Sequence, residues 1–321
     1  MSIFGIYVVW KKSIPFVDQH YQWSIGIYSS VDGLHYIPCE GIRNPVLTLK
    51  DVSDIKARFV ADPFMVKEGN RWYMFFEMYN ASTKKGDIGL AESEDGLHWH
   101  YAKRVLEEPF HLSYPFVFKF HDRYYMVPET SSDSSVRLYE AVDFPYRWRF
   151  LRTLFHGAPY RDVTLYFHEN KWWFFASDLT KTGNILYLYF ADSLEGAWEA
   201  HPKSPLYVDD WSKGRQGGRI VSVQGKIIRF AQDGYPYYGK RIRTFEIVKL
   251  NPHEYEEVEI PDTPVSASLP QERWHRKGIH HIDPHFIGDD HWLACVDGFR
   301  YTYFFGRGRR MDLKFKAKGK T

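Results

Sequence analysis

The chain has 321 residues, of which 44% are hydrophobic and 26% are charged, and these fractions are ordinary for a globular protein. Its 42 basic and 40 acidic residues leave a formal net charge of +2, which argues against a polyanion-binding protein, so we expect no nucleic-acid partner. Aromatic residues make up 18% of the chain; they favour β-strands and also supply flat faces that can stack on sugar rings.

The termini bear on where the protein is located. Residues 1–10 are apolar, but Lys11 and Lys12 follow this run instead of preceding it, which is the wrong order for a secretory signal. The sequence has no run of about 18 apolar residues, so we expect no transmembrane segment. We therefore expect a cytoplasmic protein. Residues 307–321 carry seven basic residues and one acid, and are predicted to be a flexible tail, with contact to an anionic membrane or nucleic acid as the alternative.

The first predicted elements are the strands in residues 22–38, which belong to a repeated pattern. Residues 24–36 match residues 87–99 at seven of thirteen positions. Each copy has an alternating strand, an Asp-Gly turn and an aromatic residue that begins the next strand, and glycine accepts the positive φ that a tight turn needs. Both segments are therefore predicted to be β-hairpins.

A second repeated unit combines a strand, a polar turn and an aromatic-rich strand. Its five copies begin 48 to 66 residues apart, at residues 62–77, 114–129, 162–177, 217–232 and 283–297. This spacing is close to that of a β-propeller blade of about 40–50 residues with some loop insertion. The sequence therefore predicts an all-β fold, a five-bladed β-propeller in which residues 1–321 form a single domain.

The number of hairpins predicts how the ring closes. Five inner hairpins are present, but only four outer hairpins follow them along the chain. We expect residues 22–38 to supply the missing outer strands, so that the N-terminal strands join the C-terminal blade. This arrangement would remove the exposed sheet edges of an open ring.

The centre of the ring is predicted to hold a cluster of carboxylates. The first strand of each propeller blade lines the central channel, so equivalent positions face one another. The residues expected there and at the ends of the second strands are Asp62, Glu77, Tyr114, Glu129, Asp162, Gly217, Gln232, His280, His281, Asp283 and Asp297. Like charges in a confined site raise at least one pKa, and two carboxyls can then divide into a proton donor and a base. Alternatively, the acids are structural and pair with Arg161, Arg215 and Arg219.

Histidines and aromatic residues near the channel suggest further ligand contacts. His280 or His281 could ligate a central divalent metal ion, although the pattern requires no cofactor. Adjacent residues of a strand point to opposite faces, so at most one of these histidines enters the channel. The aromatic residues expected near the mouth, as stacking platforms or as core, are Tyr114, Trp172, Trp173, Trp211, Tyr235, Tyr237 and Tyr238.

Several motifs resemble those of known propeller families. The chain resembles five-bladed glycosidases, notably glycoside hydrolase family 43 and its relatives, in segments 61–64, 72–77 and 93–99. It more particularly resembles the N-terminal propeller domain of glucosamine inositolphosphorylceramide transferases, which also occurs in bacterial proteins, in segments 111–118, 125–130 and 138–141. The resemblance implies a carbohydrate or glycoconjugate ligand and, as a partner, a glycosyltransferase.

The resemblance to family 43 implies roles for particular residues. Asp62 matches the family's general base, and Asp162 matches the aspartate that orients the acid and tunes its pKa. His280 or His281 matches a histidine that lies by a central metal or water. The family's general acid is a glutamate that opens the fourth blade, and here that place is occupied by residues 217–219, Gly-Gly-Arg.

This departure leaves the general acid open. Loss of a proton donor costs roughly 10²–10⁴-fold in rate, so either Glu129, Glu77 or a channel histidine replaces it, or the site does not hydrolyse glycosides. Glu129 is the best substitute. Arg219 suggests recognition of an anionic sugar or phosphate, because its fork suits bidentate contacts, unless it pairs with an aspartate. The ligand contacts predicted in addition to Arg219 are Glu77, Tyr114, Gln232, His280, His281 and Asp283.

Three functions are compatible with these features. The sequence favours a glycoside hydrolase in which Asp62 activates a water and Glu129 donates the proton. Asp162 would orient the acid, and the reaction would invert the configuration at the anomeric carbon. The alternative is a non-catalytic glycan- or glycolipid-binding propeller that assists a glycosyltransferase in polysaccharide or glycolipid synthesis. The third hypothesis is a protein-interaction scaffold without a small-molecule site, since a fold does not fix a function.

Overall fold

A computed structural model of the chain describes residues 17–262, 264–265 and 273–305. The predicted basic tail at 307–321 lies outside these residues. Within the described part, no helix has the length and apolarity that crossing a membrane requires, and the cytoplasmic location stays a prediction. Cys39 and Cys295 are both buried free thiols, so they do not form a disulfide.

Short segments of alternating and aromatic-rich sequence fold into β-strands. The described chain contains two short 3-10 turns, η1 (Ser131–Asp133) and η2 (Arg273–His275). In chain order the strands are β1 (Val17–Ser30), β2 (Ile37–Pro38), β3 (Ala57–Glu68), β4 (Arg71–Asn80), β5 (Lys85–Ser93), β6 (His100–Leu106), β7 (Ser113–Phe120), β8 (Arg123–Glu129), β9 (Ser135–Asp143), β10 (Arg147–His156), β11 (Arg161–His168), β12 (Lys171–Leu179), β13 (Asn184–Ala191), β14 (Glu199–Ala200), β15 (Val221–Val223), β16 (Lys226–Asp233), β17 (Arg241–Leu250), β18 (Tyr255–Ile260), β19 (Ile282–Gly288) and β20 (His291–Phe305).

The strands form five four-stranded sheets, which are the blades of the predicted propeller. Strands β3–β6, β7–β10, β11–β14 and β15–β18 make the first four blades in chain order. The fifth blade has the order β19-β20-β1-β2, so the N-terminal strands complete the C-terminal sheet. The all-β fold, the five blades and the predicted closure of the ring are therefore confirmed.

The chain divides into two compact units. Residues 23–300 form the larger unit, which contains the blades described above. The described part of the smaller unit comprises residues 17–22 and 301–305. Within it, Tyr21 and Tyr301 pack edge to face with ring centroids 5.3 Å apart.

The repeated Asp-Gly turn has the same hydrogen bonds in both of its copies. Asp95 Oδ1 accepts hydrogen bonds from the backbone N–H groups of Leu97 and His98, each 2.8 Å long. The equivalent carboxylate at Asp32 accepts from the two matching N–H groups at the same distances. The glycine after each aspartate has a positive φ, +73° at Gly33 and +78° at Gly96, so the sequence repeat reflects a turn that needs both residue types.

The hydrophobic core lies between neighbouring blades. One buried cluster joins the fifth blade to the first, and includes Ile27 and Cys295 on one side and Met74 and Trp99 on the other. The other clusters join the first three blades, the third to the fourth, and the fourth to the fifth. The predicted stacking residues Trp172 and Trp173 are 4% and 1% exposed, so both belong to this core and neither can stack on a ligand.

Candidate functional site

Three blades begin with the same local distortion, which aims a residue at the channel. Asp62, Tyr114 and Asp162 have φ values of +53°, +43° and +48°, although none is glycine. Each lies within a register shift between the first two strands of its blade. A β-bulge re-aims side chains in this way, and left-handed backbone at a non-glycine residue often marks a functional position. Gly218 has φ +140° on the fourth blade.

Hydrogen bonds link neighbouring blades at the channel, two of them from the second strand of one blade to the first strand of the next. The Asp62 N–H donates to Asp297 Oδ2 over 3.0 Å, and the Asp162 N–H donates to Glu129 Oε2 over 3.3 Å. The Tyr114 N–H donates to Asp62 Oδ2 over 3.2 Å. The acids predicted from different blades are therefore brought together around the channel, and part of their hydrogen-bonding capacity holds the blades in register.

Asp62 belongs to a buried carboxylate–imidazole–carboxylate group. His280 Nδ1 lies 2.8 Å from Asp297 Oδ1, and His280 Nε2 lies 3.7 Å from Asp62 Oδ1. The His280 ring stacks on Trp23 with centroids 4.1 Å apart. Burial raises the pKa of Asp62 to about 7, while the charges of His280 and Arg215 oppose this rise. Burial disfavours the charged form of His280 as well, but Asp297 outweighs it and raises the pKa of that imidazole.

The same three residues could hold a metal ion. Asp62, His280 and Asp297 each offer one ligand atom, and these atoms lie within 4.8 Å of one another. Since His280 Nδ1 contacts Asp297, Nε2 is the imidazole atom that faces Asp62. Two carboxylates and one imidazole suit a divalent ion, so the residues present fit such a group. His281 lies outside the set, because its ring packs against Phe64 and Tyr114 with centroids 4.5 Å and 5.2 Å away.

Asp162 is held by two side chains from the fourth blade. Arg215 forms a close ion pair with its Oδ2 atom through Nε. Gln232 Nε2 donates to the same oxygen over 2.9 Å and to the Gln216 carbonyl over 2.8 Å. Asp162 is 2% exposed, and the guanidinium compensates its buried charge. Its neighbours fix the position of this carboxylate more firmly than that of Asp62.

Two glutamates from the second strands complete the acidic cluster. Burial and the charge of Asp162 raise the pKa of Glu129 to about 7, although Arg215 and Arg161 lower it. Burial and the neighbouring acids, Asp62 first, raise the pKa of Glu77 well above its ordinary value. Near neutral pH the cluster therefore holds carboxyls that can donate a proton as well as carboxylates that can accept one.

At the place of the family-43 acid on the fourth blade, the middle residue, Gly218, has no room for a side chain. The Ile282 N–H donates to the Gly217 carbonyl over 2.9 Å, so the backbones of the fourth and fifth blades touch there. A Cβ added to Gly218 would overlap the Ile282 carbonyl oxygen. The fold therefore excludes a side chain at Gly218, whereas a Cβ on Gly217 would lie 3.1 Å from its nearest neighbour, a backbone carbon of Ala231.

Arg219 is engaged by protein groups. Its Nε donates to Asp283 Oδ1 over 2.6 Å, and one terminal nitrogen donates to the Val117 carbonyl over 2.9 Å. Burial raises the pKa of Asp283, but Arg219 and His285 outweigh burial and hold that pKa below its ordinary value. Tyr114 is fully buried, and its hydroxyl lies 2.9 Å from Thr164 Oγ1. The contacts of Arg219, Asp283 and Tyr114 are those of structural residues, and their part in ligand binding stays a prediction.

An open pocket adjoins Asp162 and its partners. It has a volume of about 390 Å³, and Arg215 and Gln232 form part of its wall. Four of its aromatic residues are 36% to 66% exposed: Trp211, Tyr235, Tyr237 and Tyr238. The Arg215 guanidinium lies 5.3 Å from the Tyr238 ring centroid. Sequence reasoning had assigned Arg215 only a structural role, because nothing in the repeat alignment distinguishes it from other arginines in loops.

Solved structures with this architecture identify the class of the fold. An exo-1,5-α-L-arabinanase from a bovine ruminal metagenomic library superposes with a TM-score of 0.52 at 14% identity, over 76% of this chain and 92% of that one. An exo-β-1,3-galactanase from Phanerochaete chrysosporium superposes with a TM-score of 0.53 at 14% identity, over 68% of this chain and 53% of that one. The chain thus has the five-bladed propeller fold of glycoside hydrolases, and at these identities the likeness extends to the fold alone.

Sequence comparison places the chain more narrowly. Residues 16–299 match the family described as glucosamine inositolphosphorylceramide transferase 1, N-terminal, and the chain belongs to that family. Glucosamine inositolphosphorylceramide transferase 1 of rice (Oryza sativa subsp. japonica) is 35% identical over 88% of this chain, and that of Arabidopsis thaliana is 34% identical over 89%. The chain spans 41% of the rice protein and 40% of the Arabidopsis protein.

Proposed function

We propose that this propeller binds a glycan, or the sugar headgroup of a glycoconjugate, at the mouth of its channel and serves glycosyl transfer without catalysing it. The observation that carries this proposal is the pocket lined by exposed aromatic rings, the Arg215 guanidinium and the Gln232 amide, and these two polar groups are held in place by Asp162 behind them. Stacking faces combined with a few oriented polar groups are what sugar recognition requires. The transferase named in the relatives supports a role in glycosyl transfer.

Hydrolysis is the second candidate, and a different observation favours it. Asp62 and Glu129 are both buried carboxyls with a pKa of about 7, which suits a base and an acid working near neutral pH. In this mechanism Glu129 protonates the leaving oxygen while Asp62 takes a proton from the attacking water. Asp162 orients the acid. The lack of a glutamate at residues 217–219 argues against it, and the crowded backbone excludes an acid at Gly218.

A divalent ion at Asp62, His280 and Asp297 is compatible with either candidate. When bound, it would supply a positive charge at the bottom of the site that attracts sugar hydroxyls. A scaffold without a small-molecule site is less well supported, since an open pocket is present and Asp62 has no arginine partner within salt-bridge distance in the described chain.

The test is a panel of oligosaccharides and aryl glycosides, read by thermal shift and by sugar release. Wild type is expected to gain thermal stability with one class of saccharide and to release no sugar. Tyr235→Ala should weaken that binding about 3- to 10-fold through loss of ring stacking, while Phe150→Ala, an exposed aromatic on β10, should not. Sugar release that Asp62→Asn and Glu129→Gln abolish would establish the hydrolase instead. If no saccharide changes the thermal stability and none is hydrolysed, both candidates are refuted.

A further inference from the structure

The aromatic pocket formed by Trp211, Tyr235, Tyr237 and Tyr238 contains a buried amide that has no protein partner. Asn184, the first residue of β13, lines this pocket and is 3% exposed. Its side chain forms no hydrogen bond with any described residue. The amide oxygen and nitrogen are nevertheless not enclosed by protein. The small exposed part of Asn184 therefore includes its amide, which belongs to the pocket wall.

A buried amide of this kind calls for an explanation. Side-chain amides in native proteins nearly always make hydrogen bonds within the protein once they are buried. The amide of Asn184 can donate two hydrogen bonds and accept two. In the free protein only solvent in the pocket can satisfy it, so a ligand that fills the pocket must replace those hydrogen bonds or lose affinity.

Backbone hydrogen bonds fix the position of Asn184 relative to the aromatic rings. The Asp210 N–H donates to the Asn184 carbonyl over 3.0 Å, which holds the loop between β14 and β15 against the start of β13. The Gly234 N–H donates to the Trp211 carbonyl over 2.8 Å, which joins the same loop to the end of β16. The backbone is thus fixed in advance, and a ligand does not have to order the wall that it binds.

The other polar groups of the pocket are used by the protein. Both donors of Gln232 are bonded, to Asp162 and to the Gln216 carbonyl, and its oxygen is enclosed. Arg215 is the charged residue of the pocket wall, and Asp162 neutralises it. The pocket therefore offers a ligand no net charge, and Asn184 is its one amide with both donor and acceptor free.

We propose that Asn184 is a specificity-determining residue whose amide binds two adjacent hydroxyl groups of a sugar ring. One hydroxyl donates to Oδ1 and the other accepts from Nδ2, while the ring stacks on an aromatic side chain of the same pocket. This inference rests on the proposed function and names its ligand class. That class is a saccharide with an uncharged ring and two adjacent free hydroxyls.

The experiment measures affinities of the full chain for the methyl pyranosides of glucose, galactose, mannose and xylose by NMR titration. The glycoside that binds most tightly is compared with its monodeoxy derivatives. Removal of either hydroxyl that contacts Asn184 is expected to weaken binding about 5- to 100-fold, because the buried amide loses a partner. Raising NaCl from about 50 mM to about 500 mM should change the affinity less than about 2-fold, since the ligand is uncharged.

Variants assign this loss to one residue. Asn184→Ala should weaken binding of the parent glycoside about 5- to 100-fold, and further deoxygenation at either position should cost this variant less than about 2-fold. Asn170→Gly is the matched control: it removes an exposed amide at the other end of β12, where glycine accepts the φ of +59°, and should bind as wild type. Asn184→Ala should melt within about 2 °C of wild type, because no described hydrogen bond of the side chain is lost.

The inference and the proposed function fail in different ways. Equal losses on deoxygenation in wild type and Asn184→Ala would refute the inference and leave the proposed function intact, and so would losses confined to hydroxyls that are not adjacent. A melting temperature more than about 5 °C below wild type in Asn184→Ala would identify a structural residue and refute it as well. Binding of oligosaccharides without binding of any methyl pyranoside would also refute it. Absence of binding by every saccharide would defeat the proposed function too.

Discussion

At the scale of single residues, equivalent acids of different blades have different chemistry. Asp62 and Asp162 occupy matching positions on the first and third blades, and both have positive φ. Asp162 has an arginine and an amide as partners, whereas Asp62 faces an imidazole at 3.7 Å. The repeat alignment predicted both positions. Arg215 was among the arginines considered as partners for the acids, but the alignment could not assign a partner to each acid, because the partners come from other blades.

The protonation of Asp62 predicts an unusual effect of pH on stability. The pKa of Asp62 is raised to about 7 in the folded protein, from 3.8. The native state therefore keeps a proton that the unfolded chain loses above about pH 4, and stability falls as pH rises from about 4 to about 7. Asp62→Asn cannot titrate, so its melting temperature relative to wild type should rise by about 2–6 °C between about pH 5 and about pH 8.

The comparison needs a control that carries the same chemical change. Asp122→Asn, at an exposed residue of the turn between β7 and β8, should leave the pH dependence of the melting temperature as in wild type. Scanning calorimetry of the three proteins at both pH values provides the measurement. Parallel curves for Asp62→Asn and wild type would mean that Asp62 is ionised in the folded protein at neutral pH.

At the scale of elements, the sequence predicted the positions of the hairpins better than the lengths of their strands. The copy at 62–77 lies in β3 and β4, and the copy at 114–129 in β7 and β8. In the fourth copy, predicted from residue 217, the first strand is only β15, Val221–Val223. Its first residues form isolated contacts on both sides: the Gly217 N–H donates to the Phe230 carbonyl within the blade, and Gly217 and Gly218 contact Ile282 of the neighbouring blade. Repeats report hydrogen-bonded pairing within a blade, and they contain no information on contacts between blades.

The contact between the fourth and fifth blades can be tested at Gly218. Replacing this glycine by alanine forces a Cβ against the Ile282 carbonyl, in addition to an unfavourable φ of +140°. We expect Gly218→Ala to lower the free energy of unfolding by more than about 3 kcal/mol, measured by urea denaturation. Gly225→Ala in the same blade has φ +80° but no atom within 4 Å of the added Cβ, and should cost only about 1–2 kcal/mol. Equal losses in the two variants would show that the backbones of the two blades separate without penalty.

At the scale of the whole molecule, closure of the ring joins strands from both halves of the sequence. The fifth blade pairs β20 with β1, and the buried cluster between the fifth and first blades contains residues of β1 together with residues of β20. Ring closure was predictable because the sequence contains five inner hairpins but only four outer hairpins after them. The site was less predictable, since the pocket depends on loops that differ from blade to blade.

Ring closure predicts how the protein tolerates truncation. A chain that ends at residue 280 lacks β19 and β20, so β1 loses its partner and two blades expose their apolar faces. We expect this fragment to aggregate or to lack a cooperative unfolding transition. A chain that ends at residue 305 keeps every described strand and should unfold cooperatively. Circular dichroism during thermal unfolding distinguishes the two. A soluble, cooperatively folding fragment 1–280 would contradict the closure argument.

The position of β1 also bears on events at the ribosome. Strand β1 ends at Ser30 and its partner β20 begins at His291, about 260 residues later. At a synthesis rate of about 5–20 residues per second, β1 waits roughly 13 to 50 seconds for its partner. Blades one to four can assemble during this interval, but β1, the first of the described strands, is among the last to be paired. The nascent chain therefore carries an unsatisfied edge on β1 throughout this interval, and a chaperone that shields such edges would act on it during that time.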